Sequence, residues 1–114
     1  MVASSAVNLQ SAIQYLGSDI NRIKRYLDKF IARAEGAGQD ICRAVENGHW
    51  EQVVVISHQF KATARMVGAE QLSVLYFELE QAARQQQLQQ LTALSAQLSG
   101  ALDQVKDFSG QMSG

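Results

Sequence analysis

His58 and Glu80 are the two residues of this 114-residue chain whose types and placement suggest nucleophilic chemistry. A carboxylate that accepts a proton from one ring nitrogen of a histidine fixes the tautomer and leaves a lone pair on the other nitrogen. Two observations bring the pair together. Advancing about 100° per residue, Val53, Ile56, Phe60, Ala64 and Val67 gather within roughly 60° of one direction, and His58 falls about 140° away. If the chain reverses at Gly68, His58 lies ten residues before the turn and Glu80 twelve after it. At about 1.5 Å of rise per residue, the two then sit at nearly the same height of an antiparallel helix hairpin. Glu80 falls beside its helix's core stripe, next to Tyr76 and Leu79, from where a carboxylate can contact the neighbouring helix.

The side of the helix that carries His58 also carries Lys61, Ala62 and Arg65, together with the apolar Val54, Val55 and Met66. An apolar collar around an outward histidine is costly in water unless something docks there. Ala62, one turn along, leaves room above the imidazole. The bland alternative is that neighbouring helices cover part of the collar, with His58 an incidental surface residue and Glu80 a solvated helix glutamate.

The elements that must hold these residues read as helical throughout. The chain has no proline, and its glycines fall mainly where periodic segments stop. A short helix is expected from Asn8 to Leu16, stopped by Gly17, with Ser18 as the cap of the next. Asp19 to Ala34 places Ile20, Ile23, Leu27, Phe30, Ile31 and Ala34 at helical spacing, and "EGAG" is expected to end it. A shorter helix follows from Gln39 to Asn47, then longer ones from Trp50 to Val67 and from Glu70 to Gln86. The last carries Leu91, Leu94, Leu98, Leu102, Val105 and Phe108. The expected fold class is all-α, an antiparallel four-helix bundle with one or two additional short N-terminal helices. Residues 1–114 read as one domain, with a core from about 8 to 108 and loose ends at 1–6 and 109–114.

Composition narrows the function classes. With 46% hydrophobic and 18% charged residues and a formal net charge of −1, neither a disordered acidic tail nor a basic nucleic-acid arm is expected. Cys42 is the only cysteine, which suits a reducing compartment and a small buried hydrophobe. The longest strongly apolar run, Val53 to Ile56, is too short to span a membrane. A cytoplasmic location without membrane contact is expected. No Gly-rich phosphate loop or nucleotide signature is present, and two histidines and one cysteine at these spacings match no zinc motif. No metal site is expected, and no capacity to autophosphorylate.

His58 with Lys61 at the third position after it, the small Ala62 and Ala64, "GA" at Gly68 and Ala69, Leu72 and Leu75, and "LE" at Leu79 and Glu80 resemble the histidine-containing phosphotransfer (HPt) domain of bacterial phosphorelays. The family pattern is roughly His-x-Leu-Lys-Gly, a spacer of small residues, Gly-Ala, then a leucine-rich helix ending in Leu-Glu. The likeness is strongest over residues 50–84 and extends more loosely to "LGSDINRIKRYLDKF" and "AVENGHWEQV". Three departures stand out. Phe60 replaces the usual leucine, Ala62 replaces a glycine, and His49 stands where the family often has an aspartate that caps the histidine helix.

The resemblance implies that His58 accepts a phosphoryl group from the phosphoaspartate of a receiver domain and passes it to the aspartate of another receiver. It implies that Lys61 offsets the added charge, that Arg65 extends that field, and that Glu80 orients the ring. Val54, Val55, Ala62 and Met66 would form the apolar part of the docking surface, and Arg65 and Gly68 would be further binding residues. The implied partners are receiver domains of a hybrid sensor kinase and of a response regulator. The chain would need no cofactor of its own, because the receiver would supply Mg²⁺, and it would act as a monomeric phosphocarrier. Three alternatives stand beside this reading: a docking module that binds receivers without accepting phosphate, an adaptor using the basic stripe Arg22, Arg25, Lys29 and Arg33, and the phosphorylatable module of a chemotaxis-type histidine kinase. The resemblance fits a free-standing protein and a module of a hybrid sensor kinase equally.

Overall fold

Apolar residues repeating every three or four positions must bury one stripe of each helix against another, and short connections make sequential helices antiparallel neighbours. The computed structural model describes residues 6–112. These form α1 (Leu9–Leu16), α2 (Ile20–Asn47), α3 (Trp50–Met66), α4 (Glu70–Arg84) and α5 (Leu88–Gln111). Helix α2 packs on α3, α3 on α4, α4 on α5 and α5 on α2, which closes a four-helix bundle, while α1 lies against α2 and α3. The core that they enclose includes Ile23, Leu27, Ile41, Val53, Leu72, Leu79 and Leu91, all essentially inaccessible to solvent. Phe30, Phe60 and Tyr76 join α2, α3 and α4 at its centre, with ring centroids 6.2 and 5.8 Å apart along the row. The phenylalanine at position 60 is therefore a core residue.

Helix α2 corrects the expectation of a break at "EGAG". It continues through Gly36 and Gly38 to Asn47, so the helices expected at 19–34 and 39–47 are one element of 28 residues. A glycine in a helix interior costs about 1 kcal/mol relative to alanine, whereas burial of a side chain such as Ile41 contributes about 1.5–3 kcal/mol. Ile31, Ala34, Ala37, Ile41, Ala44 and Val45 form one uninterrupted buried stripe, and that stripe prevails. The start of α2 also differs by one residue. Asp19 is its cap, with Oδ1 accepting the backbone N–H of Asn21 and of Arg22 at 3.0 and 3.3 Å, and not Ser18.

Three helices end in the same way. At the end of α3, the Ala69 N–H bonds to Ala64 O and the Gly68 N–H to Arg65 O, at 2.8 and 3.1 Å. This paired closure requires a left-handed residue, supplied by Gly68 at φ +81°. The same pair of bonds closes α2 around Gly48 and α4 around Gln86, a non-glycine residue at φ +55°.

The chain's C-terminal stretch is a second correction. Residues 109–111 are helical, and Ser109 is buried. The Ser109 hydroxyl donates to Asp28 Oδ1, and Lys24 Nζ donates to Ser109 O and Oγ at 3.1 and 3.3 Å. These bonds tie the end of α5 to the start of α2, which makes helix more favourable there than a loose tail. At the other end, Ala6 is half-buried and packs against the core. The loose ends expected at 1–5 and 113–114 lie outside the described residues.

Candidate functional site

Helices α3 and α4 place the candidate site, and the turn between them fixes their relative height. Gly68 O accepts the Asn8 N–H at 2.8 Å, and the Asn8 side chain and Ser11 hydroxyl donate to Glu70 Oε1 at 3.3 and 2.7 Å. Helix α1 therefore pins the hairpin at its closed end. Between the two helices, the Ser73 hydroxyl donates to Lys61 O at 3.0 Å.

The Glu80 side chain projects from α4 across this contact and meets three donors. His58 Nδ1 lies 3.2 Å from Oε2, Arg84 Nη2 donates to the same oxygen at 2.9 Å, and Lys61 Nζ donates to Oε1 at 3.0 Å. Only 5% of the Glu80 side chain is exposed, against 64% of the His58 side chain. The carboxylate is thus interior to the site and the imidazole stands at its mouth.

Burial alone would raise the Glu80 pKa. Hydrogen bonds from Arg84, Lys61 and His58, with the Lys61 charge behind them, outweigh it and bring the carboxyl from 4.5 down to about 2. An ionised carboxylate only accepts hydrogen bonds, so Nδ1 of His58 is the protonated nitrogen. In the neutral ring Nε2 then carries the lone pair, and most of the ring is open to an incoming electrophile. Two cations face one carboxylate, so with a neutral imidazole the cluster bears one net positive charge.

The other residues singled out from the sequence are distributed differently. Ala62, Arg65, Met66 and Val55 are exposed on α3. Val54 is half-buried and packs against the core, so it contributes only in part to an outward apolar surface. Gly68 is buried with a backbone neighbour on its α-carbon, and its place is in the chain reversal and not on a docking face. His49 caps α3 without a side-chain bond, in keeping with the missing aspartate.

Sequence reasoning missed two members of the site. Arg84 lies at i+4 from Glu80, a spacing that was legible as a potential ion pair. Phe77 is half-exposed on α4, and Lys61 Nζ sits 5.5 Å from the centroid of its ring, held between the aromatic face and the carboxylate. Three side chains of the basic stripe of α2 lie over aromatic rings of α2 and α3. Arg22 and Lys29 lie 5.4 and 6.0 Å from the Tyr26 ring, and Arg33 lies 5.7 Å from that of Phe60. Cys42 is half-buried, with Sγ 3.7 Å from Ser95 O. No cluster of three or more His, Cys, Asp or Glu side chains suited to a metal ion occurs among the described residues, and no helix among them is long and apolar enough to cross a membrane.

A comparison with protein families matches residues 25–108 to the family described as Hpt domain. Comparisons with curated proteins and with solved structures each found no match.

Proposed function

The chain belongs to the Hpt domain family, and on that premise we propose that His58 is its phosphoryl acceptor, taking the group from a receiver-domain phosphoaspartate and returning it to the aspartate of a response regulator. The family is one of phosphocarrier modules in two-component signalling, which makes receiver domains the expected class of partner. The observation that carries the assignment to His58 is its bond to a buried, ionised Glu80.

In this reading the Nε2 lone pair forms the N–P bond while the P–O bond to the donor aspartate breaks, and the carboxylate leaves with the electron pair. Nδ1 keeps its proton, so the phosphorylated ring carries a positive charge, and Glu80 faces that charge at the same oxygen. The onward step is the reverse: the N–P bond breaks and the ring departs as a neutral imidazole, a good leaving group because Nδ1 never lost its proton. Mg²⁺ would be held by the receiver's own carboxylates, since both Glu80 oxygens are already taken by Lys61, Arg84 and His58. Ala62, Met66, Val55 and Phe77 would supply the apolar contact with the receiver, and Arg65 its charge. The expected setting is the cytoplasm.

The test is to mix the protein with a receiver phosphorylated on its aspartate, with Mg²⁺, and to follow the label beside His58→Gln. Acid-labile, alkali-stable label on the wild type and none on His58→Gln is the expected result. Label that persists on His58→Gln, or receivers that bind without any transfer, would overturn the assignment.

A further inference from the structure

We infer that Arg84 is a positioning residue of the site: it holds Glu80 against His58 so that Lys61 is free to leave the carboxylate for the phosphoryl group. This inference rests on the phosphotransfer reading above. It follows from how the three donors divide the two oxygens. Arg84 and the imidazole share Oε2, the oxygen that orients the ring, whereas among the described residues Lys61 alone occupies Oε1. Departure of Lys61 therefore leaves the orienting oxygen and its cation undisturbed.

The charge balance favours such a second cation. A carboxylate that is nine-tenths buried is costly without a partner, and the Glu80 side chain is only 5% exposed. Were Lys61 its single fixed counter-ion, turning Lys61 toward the phosphoryl oxygens would leave Glu80 facing only the phosphorylated ring, whose positive charge is already offset by the phosphoryl group it bears. With both cations present, accepting a phosphoryl group of one net negative charge takes the cluster from one positive charge to neutrality. Without Arg84 the same step would run from neutrality to a net negative charge. Geometry supports the division of labour: Arg84 is four residues from Glu80 on the same helix and stays in register whatever α3 does. Lys61 sits on the opposite helix, on the same face and one turn from His58.

The experiment compares wild type with Arg84→Met, which keeps the apolar stem, and Arg84→Lys, which keeps the charge. Two quantities are read: the tautomer of the His58 ring by ¹⁵N NMR at a pH where the ring is neutral, and the rate of phosphoryl acceptance from a phosphorylated receiver. Arg84 is half-exposed, and a thermal melt of each variant checks that the fold is retained. In Arg84→Met the fraction of ring protonated at Nδ1 should fall and acceptance should slow on the order of 5-fold, the scale of a partly exposed ion pair. Arg84→Lys should recover most of both. Wild-type tautomer and rate in Arg84→Met would overturn the inference, as would equal losses in the Lys and Met variants. Absence of label on the wild type would instead defeat the phosphotransfer reading, while the tautomer measurement would still decide whether Arg84 positions the pair.

Discussion

At the scale of single residues, Glu80 is the group on which the site depends, and its titration gives a test independent of any partner. Its folded pKa of about 2 lies below its ordinary value of 4.5. The stabilisation from its ion pairs is therefore fully present above pH 4.5 and is lost as pH falls from 4.5 through 2. Urea midpoints measured across that window should decline for the wild type, and the decline should be shallower for Glu80→Gln. At pH 7 Glu80→Gln should be less stable by about 1–2 kcal/mol, at the lower end for buried pairs because both cations reach solvent. An identical acid limb in the two proteins would show that the pairs are screened. For the proposed phosphotransfer, the low value means that Glu80 keeps its charge at neutral pH.

At the scale of elements, the three similar helix ends make a quantitative comparison. A Cβ on Gly68 would lie 2.4 Å from Asn8 O, and its φ of +81° is unfavourable for any L side chain. Gly68→Ala should cost about 2 kcal/mol or more, measured as a drop in the denaturation midpoint, and should loosen α1 from the hairpin. Gln86 occupies the matching left-handed position at the end of α4 with φ +55°, so Gln86→Gly should raise stability by about 1 kcal/mol. Opposite signs at equivalent turns are the expected outcome, and the same sign at both would discredit the account of these ends. Because Gly68 sets how α4 returns along α3, the geometry of His58 and Glu80 depends on a turn that itself contributes no group to the chemistry.

At the scale of the whole molecule, the bundle is closed by contacts far apart in sequence. Ser109, Lys24 and Asp28 join its last helix to its longest, at the end of the chain where fraying is otherwise expected. Ser109→Ala should lower stability by about 1 kcal/mol, since the lost hydroxyl leaves Lys24 and Asp28 with each other. Amide hydrogen exchange over residues 105–111 should accelerate in that variant, with the α3–α4 hairpin unaffected. Exchange that accelerates equally at His58 would mean that the two halves of the bundle open together.

Much of this molecule was legible in its sequence. The helical class, the buried faces of α2 to α5, the outward position of His58 and the matching height of Glu80 all follow from a 3.6-residue period and a fixed rise, both of which are local properties. The tertiary structure alone decided three things. It carried α2 through Gly36 and Gly38, because burial of Ile41 and its neighbours outweighs two weak helix formers. It made Ser109 a buried contact, because its partners lie more than 80 residues away in sequence. It brought Lys61 and His58 of α3 together onto the Glu80–Arg84 pair of α4, because the rotation of α4 about its own axis relative to α3 is set by the packing of the Gly68 turn and the core, which no window of local sequence contains.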